Sequence, residues 1–145
     1  MKRILLVALI TTLGLSLMGM GKMEGEGKPE EIPTPDREVT ALIVDIEGVT
    51  LTLSQFSING QTSLSGKLGA GKMAIPLAQV KTVTLGAEAK ILRARVDLAD
   101  NQTVNLILDR GLTAYGRTRF GTYQVQLDQL KKIDILAVSE KKGKN

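Results

Sequence analysis

Gly71–Leu85 reads GKMAIPLAQVKTVTL, and Gly121–Ile135 reads GTYQVQLDQLKKIDI. Set fifty positions apart, the two stretches share Gly71 with Gly121, Leu77 with Leu127, Gln79 with Gln129 and Lys81 with Lys131. Between these identities Ile75 meets Val125, Val80 meets Leu130, Val83 meets Ile133 and Leu85 meets Ile135. Upstream, Gly66 falls on Gly116. The match predicts two tandem copies of one β-rich unit, the first at about residues 37–86 and the second at about 87–138.

The period inside the copies is two. In Ile91–Leu98 the apolar Leu92, Ala94, Val96 and Leu98 alternate with Arg93, Arg95 and Asp97, which is the pattern of a strand with one wet face. Val104, Leu106 and Leu108 continue it. In the first copy Leu42, Val44 and Ile46 are expected to face inward together, and so are Val49, Leu51 and Leu53. Strands wet on one side belong to antiparallel sheets. Glu47-Gly48, Asn59-Gly60, Asp100-Asn101 and Arg110-Gly111 punctuate the runs, and Asn-Gly suits a tight turn because both residues accept positive φ. Ala78-Gln79 and Asp128-Gln129 mark a short turn before the last strand of each copy.

No helical stripe follows the N-terminal segment, so the fold class is all-β, with about five antiparallel strands per copy. Two sheet-forming units bury their apolar faces as a pseudo-symmetric sandwich or a small closed barrel. Bringing VTLTL (49–53) onto QTVNL (102–106) takes a three-residue shift, so the loops differ between the copies.

Each half ends in a glycine-led strand, a Leu-x-x-Val/Leu turn and a final apolar strand, with Phe120-Gly121 in the second copy. With Asp45-Ile46-Glu47-Gly48 and Leu64-Ser65-Gly66-Lys67, this resembles repeat units of uncharacterised secreted bacterial all-β proteins. The resemblance covers most of Arg37–Leu136 and implies a fold and an exported setting. It brings no activity with it.

The ends carry the address. Lys2 and Arg3 precede an apolar stretch, Ile4–Met18, and Gly19-Met20-Gly21 offers small residues for cleavage, the layout of a signal peptide over residues 1–21. An uncleaved anchor is the rival, and it is the one route to a membrane expected here. Residues 22–36 hold three of the four prolines among acids and glycines and are expected to form a disordered linker. Residues 139–145 are expected to form a frayed basic tail, which leaves 37–138 as the β domain. The domain is expected to be periplasmic or secreted.

Composition narrows the chemistry. The chain has no histidine and no cysteine, which excludes a Ser-His pair, a thiolate nucleophile, the usual zinc sets and a lipid anchored at cysteine. Gly66–Met73 comes close to a phosphate-binding P-loop, but Met73 stands where a hydroxyl belongs and a strand with a proline follows instead of a helix. Ser54, Ser57, Ser63 and Ser65 show no spacing to a lysine that marks a nucleophile. Asp97, Asp100 and Asn101 read as a solvated turn rather than a calcium loop. No cofactor, metal or catalytic residue is expected. The formal net charge of +4 includes Lys2 and Arg3, and with no tryptophan present nucleic acid is not an expected partner.

Arginine is the remaining surface feature. Arg93 and Arg95 project from one strand face and Arg117 and Arg119 from another, and neighbouring strands would bring all four onto one patch. Guanidinium forks suit carboxylates and phosphates. Two functions remain open at this point. One is a non-enzymatic interaction domain that meets an envelope protein or an anionic envelope component by surface complementarity. The other is a small-ligand or anion-binding domain using the arginine face or a pocket between the copies.

Overall fold

The computed structural model describes residues 32–140, so the expected signal peptide, linker residues 22–31 and tail residues 141–145 lie outside the described part. The alternating runs form ten strands: β1 (Arg37–Asp45), β2 (Thr50–Ile58), β3 (Ser63–Leu68), β4 (Gly71–Pro76), β5 (Val80–Glu88), β6 (Ile91–Leu98), β7 (Thr103–Leu108), β8 (Thr113–Arg117), β9 (Thr122–Gln126) and β10 (Leu130–Glu140). The two short turns are single 3-10 turns, Leu77–Gln79 and Leu127–Gln129, each burying its leucine.

All ten strands join one antiparallel sheet in the order β4-β3-β7-β6-β5-β10-β1-β2-β8-β9. The sheet has two free ends, β4 and β9, so the closed barrel that the sequence left open is not formed. One face carries the core, and its side chains make a single cluster running from Val39, Ile43 and Leu53 through Leu92, Val96 and Leu106 to Leu127 and Ile133. A sheet this wide hides one face only by curving around it.

Turn chemistry sets the connections. Asp45 Oδ1 accepts from the N–H groups of Glu47 and Val49, both at 2.9 Å, and Gly48 takes φ +89°. Asn59 and Gly60 both adopt positive φ, as a tight Asn-Gly turn requires. That turn closes a single bridge, Ile58 to Gln61, and then the strands part company. β2 pairs with β1 and β8, whereas β3 pairs with β4 and β7.

Both outer hairpins therefore lie against a strand from the other half of the chain. The crossings are tight. A Cβ on Gly66 of β3 would sit 3.1 Å from Leu106 Cβ, 3.0 Å from the Ile107 carbonyl oxygen and 2.8 Å from Leu108 Cδ2, all on β7. On Gly116 of β8 it would sit 2.6 Å from Leu53 Cβ on β2. Only a bare backbone fits at either crossing.

The structure departs from the sequence reading at four places, the first being Val49, expected inward with Leu51 and Leu53 but 48% exposed. In β1 the buried residues are Val39, Ala41 and Ile43, whereas Leu42 and Val44 face outward and Ile46 is 49% exposed. The strand is apolar on both faces, so alternation alone does not choose; two bulges in its pairing with β10 fix the register. Residues 32–36 are not a free tether, because Ile32 and Pro35 are buried, Pro33 packs on Gly60 and Asp36 accepts from Thr62 Oγ1 at 3.3 Å. The last strand continues to Glu140, where Arg37 meets it at 3.6 Å, two residues past the expected edge of the domain.

Replacing Gly116 by Ala is expected to cost about 1–3 kcal/mol of stability through overpacking, and Gly66→Ala somewhat less, because its closest clash is with the movable end of Leu108. Urea denaturation of both variants checks this; wild-type midpoints would contradict the close crossings.

Candidate functional site

The four arginines separate into two settings. Arg93 and Arg95 stand on the outward face of β6, whereas Arg117 ends β8 and Arg119 lies in the turn beyond it. In the sheet β5, β10, β1 and β2 stand between β6 and β8, so the strands are not neighbours. The strand adjacency that would have gathered all four arginines is absent.

Arg117 and Arg119 are occupied by local structure. Arg117 Nε donates to Gln55 Oε1 at 2.8 Å, and Gln55 sits at φ +49° in the bulge where β2 slips against β8. That contact holds a strained backbone position. Arg119 lies 5.3 Å over the ring of Phe120, which is 86% exposed at the hairpin tip. The tip itself is ordered: Thr118 Oγ1 accepts from the N–H groups of Phe120 and Gly121.

Arg93 and Arg95 sit in different company. Paired residues of a ladder share a face, so outward neighbours can be read strand by strand. Lys72 opposes Lys67, Lys67 opposes Ile107, Ile107 opposes Arg93, and Arg93 opposes Gly86. The next row runs Asn105, Arg95, Thr84, Lys132. Over Gly86 the face sinks into an open depression of about 510 Å³, lined by residues of β3 and β5 from the first half and of β6 and β7 from the second. Arg95 Nε lies 3.3 Å from Asp97 Oδ1, and Lys132 lies 3.5 Å from Asp134. Among the described residues no carboxylate lies within 4.0 Å of the charged groups of Lys67, Lys72 or Arg93.

Lys67 and Lys72 were legible only as part of the P-loop look-alike. That segment is the β3–β4 hairpin, with Gly69 at φ +63° and no helix following. Ser57 is fully buried, and Ser54 Oγ donates to the Arg117 carbonyl at 3.3 Å. Asp97 accepts from Thr103 Oγ1, and Asp100 from the N–H of Gln102, as a hairpin turn requires. Among the described residues no three or more Asp or Glu side chains are grouped to hold a metal ion.

The two ends of the sheet differ in their outer edges. Thr118 and Gly121 exchange backbone hydrogen bonds, and Leu127 N–H donates to the Leu112 carbonyl. In an antiparallel ladder bonded and non-bonded pairs alternate, so Tyr123 and Val125 bond inward to β8. The backbone groups of Thr122, Gln124 and Gln126 therefore point out from the free edge. At the other end Leu77 N–H donates to the Thr62 carbonyl, which by the same alternation leaves Lys72, Ala74 and Pro76 facing outward from β4. Burial, with Asp45 nearby, raises the Tyr123 phenol above its ordinary pKa.

The sequence profile of a family described as uncharacterised protein matches residues 35–138. The chain belongs to this family. The matched span opens at the buried Pro35 and closes within the last strand, so it takes in all ten strands but for the last two residues of β10. No curated protein and no solved structure matches the chain.

Arg117→Ala is expected to lower unfolding free energy by about 1 kcal/mol, as loss of one charge-assisted hydrogen bond at the bulge. Arg93→Ala should shift it by less than about 0.5 kcal/mol. Urea titration of the two variants separates the roles, and equal losses would contradict them.

Proposed function

We propose that this chain is an exported, non-enzymatic interaction domain of the cell envelope, which takes an extended segment of a partner protein onto the free edge of β9. The observation carrying this reading is the unequal protection of the two edges. On β4 the outward positions are Lys72, Ala74 and Pro76, where a lysine resists apposition of a second strand and a proline offers no N–H. On β9 the outward positions are Thr122, Gln124 and Gln126, which leave N–H and C=O groups ready to pair. Among the described residues, shortness is what restrains that edge, at five residues. Recognition here is main-chain hydrogen bonding with side chains matched on alternate positions, so it needs no catalytic group.

Export rests on the Lys2-Arg3 start and the apolar Ile4–Met18 stretch that follows, and it implies a periplasmic or secreted location. The lack of histidine and cysteine favours binding over catalysis.

The same reading takes the sheet as two copies, β1–β5 and β6–β10, arranged with pseudo-twofold symmetry. Exchanging each strand for its counterpart five places along reproduces the strand order reversed. Individual hydrogen bonds recur as well. Ile46 N–H donates to Gln129 O and Ala99 N–H to Gln79 O; Asp45 N–H donates to Val49 O and Leu98 N–H to Gln102 O. Lys67 opposes Ile107 as Arg117 opposes Ser54. The three-residue shift between the copies falls within β2, which has nine residues and a bulge where β7 has six.

A pull-down from the cell envelope with three baits tests the function. Gln124→Pro removes an outward N–H, and Ala74→Pro does the same on the other edge; neither breaks a ladder bond, so both variants should melt close to the wild type. The expected result is a partner captured by wild type and Ala74→Pro and lost with Gln124→Pro, with its contact mapping to one extended segment. Equal capture by all three would contradict the β9 edge.

A further inference from the structure

Gly86 is a glycine without a backbone or packing reason. Its φ lies outside the left-handed region, and a Cβ added to it would meet nothing within 4 Å. Glycine weakens a strand relative to a residue with a side chain. What its bareness does is keep the outward face open at one point, between Arg93 on one side and Thr84 further along β5.

Around that opening the charges are one-sided. Lys67, Arg93 and Arg95 line it, together with the polar Asn105 and Thr84, and among the described residues no carboxylate does. Lys67 and Arg93 are two strand steps apart, about 10 Å between backbones, and Arg93 and Arg95 are about 7 Å apart along β6. Side chains of their length converge over a space of that size. Lys67 also stands directly opposite Lys72, a like-charge placement that costs stability in a sheet. A bound anion would offset that repulsion.

We propose that the depression over Gly86 binds a phosphate group. Its charge decides for phosphate over carboxylate: a phosphomonoester carries about −1.5 to −2 near neutral pH, and Lys67 and Arg93 supply two cations free of carboxylates while Arg95 is shared with Asp97. Arginine forks and a lysine are the standard means of holding phosphate oxygens, and Asn105 and Thr84 add neutral hydrogen-bonding groups. Ile107, 40% exposed between Lys67 and Arg93, offers an apolar contact to the carbon skeleton that carries the phosphate. The other half of the chain lacks these features. Leu136, 56% exposed, stands fifty positions on from Gly86, and β1 presents Thr40 and Leu42 to β10 where β6 presents Arg93 and Arg95 to β5. The site is independent of the β9 edge and its test is separate.

The experiment follows the backbone amide of residue 86 by NMR during two titrations of the domain, one with inorganic phosphate and one with vesicles of phosphatidic acid, a phosphomonoester lipid, in phosphatidylcholine. Gly86→Val and Arg93→Gln are run in parallel. Valine suits the strand and has room, so Gly86→Val should fold and melt above the wild type while filling the depression. A saturable response centred on residue 86, weakened at least tenfold in both variants, supports the site. A response to inorganic phosphate assigns it to free phosphate groups, and a response to vesicles alone assigns it to phosphomonoesters on a lipid surface. No saturable response in either titration, or binding by the variants equal to the wild type, would overturn the proposal.

Discussion

The structure depends on two places where a strand carries no side chain. Gly66 and Gly116 let the hairpins β3–β4 and β8–β9 cross closely over β7 and β2, each from the opposite half of the chain. Without those crossings each half would have its own strands and no cover for their apolar face. With them, one core runs through the molecule and neither half closes by itself. The glycines therefore do by absence what a disulfide does by linkage in many small exported domains, and this chain has no cysteine to do it otherwise.

The same arrangement fixes where function can sit. A sheet that curves but does not close must end in two edges, and those edges are the outer strands of the crossing hairpins. Lysine and proline shield one of them, and the other has neither. On the broad outward face between the ends some side chains are held in ion pairs or hydrogen bonds: Arg95 with Asp97, Thr82 with Asp134, Lys132 with Asp134. Among the described residues Lys67 and Arg93 have no carboxylate partner, and both line the open space over Gly86.

Much of the fold was readable from the chain. Strict alternation of charge and apolar residue in Ile91–Leu98 fixed both strand and face, and the Gln79 and Gln129 turns fell where a fifty-residue offset put them. Alternation failed at β1 because Leu42 and Val44 are as apolar as Val39 and Ile43, so the register came from partners distant in sequence. Pro33 and Pro35 read as linker because composition says nothing of the contact Pro33 makes at Gly60 or of the burial of Pro35. The arginine patch failed for the same kind of reason. Alternation tells which face a residue takes, but only strand order tells which residues share a neighbourhood, and the exchange of hairpins placed Lys67, not Arg117, beside Arg93.

The open edge at β9 is the point on which the functional account turns, and amide hydrogen exchange of the isolated domain tests it most directly. The account predicts protected amides at Tyr123 and Val125, bonded to β8, alternating with rapid exchange at Thr122, Gln124 and Gln126. Slow exchange at those three positions would mean that the edge is already covered, and would contradict a strand waiting for a partner.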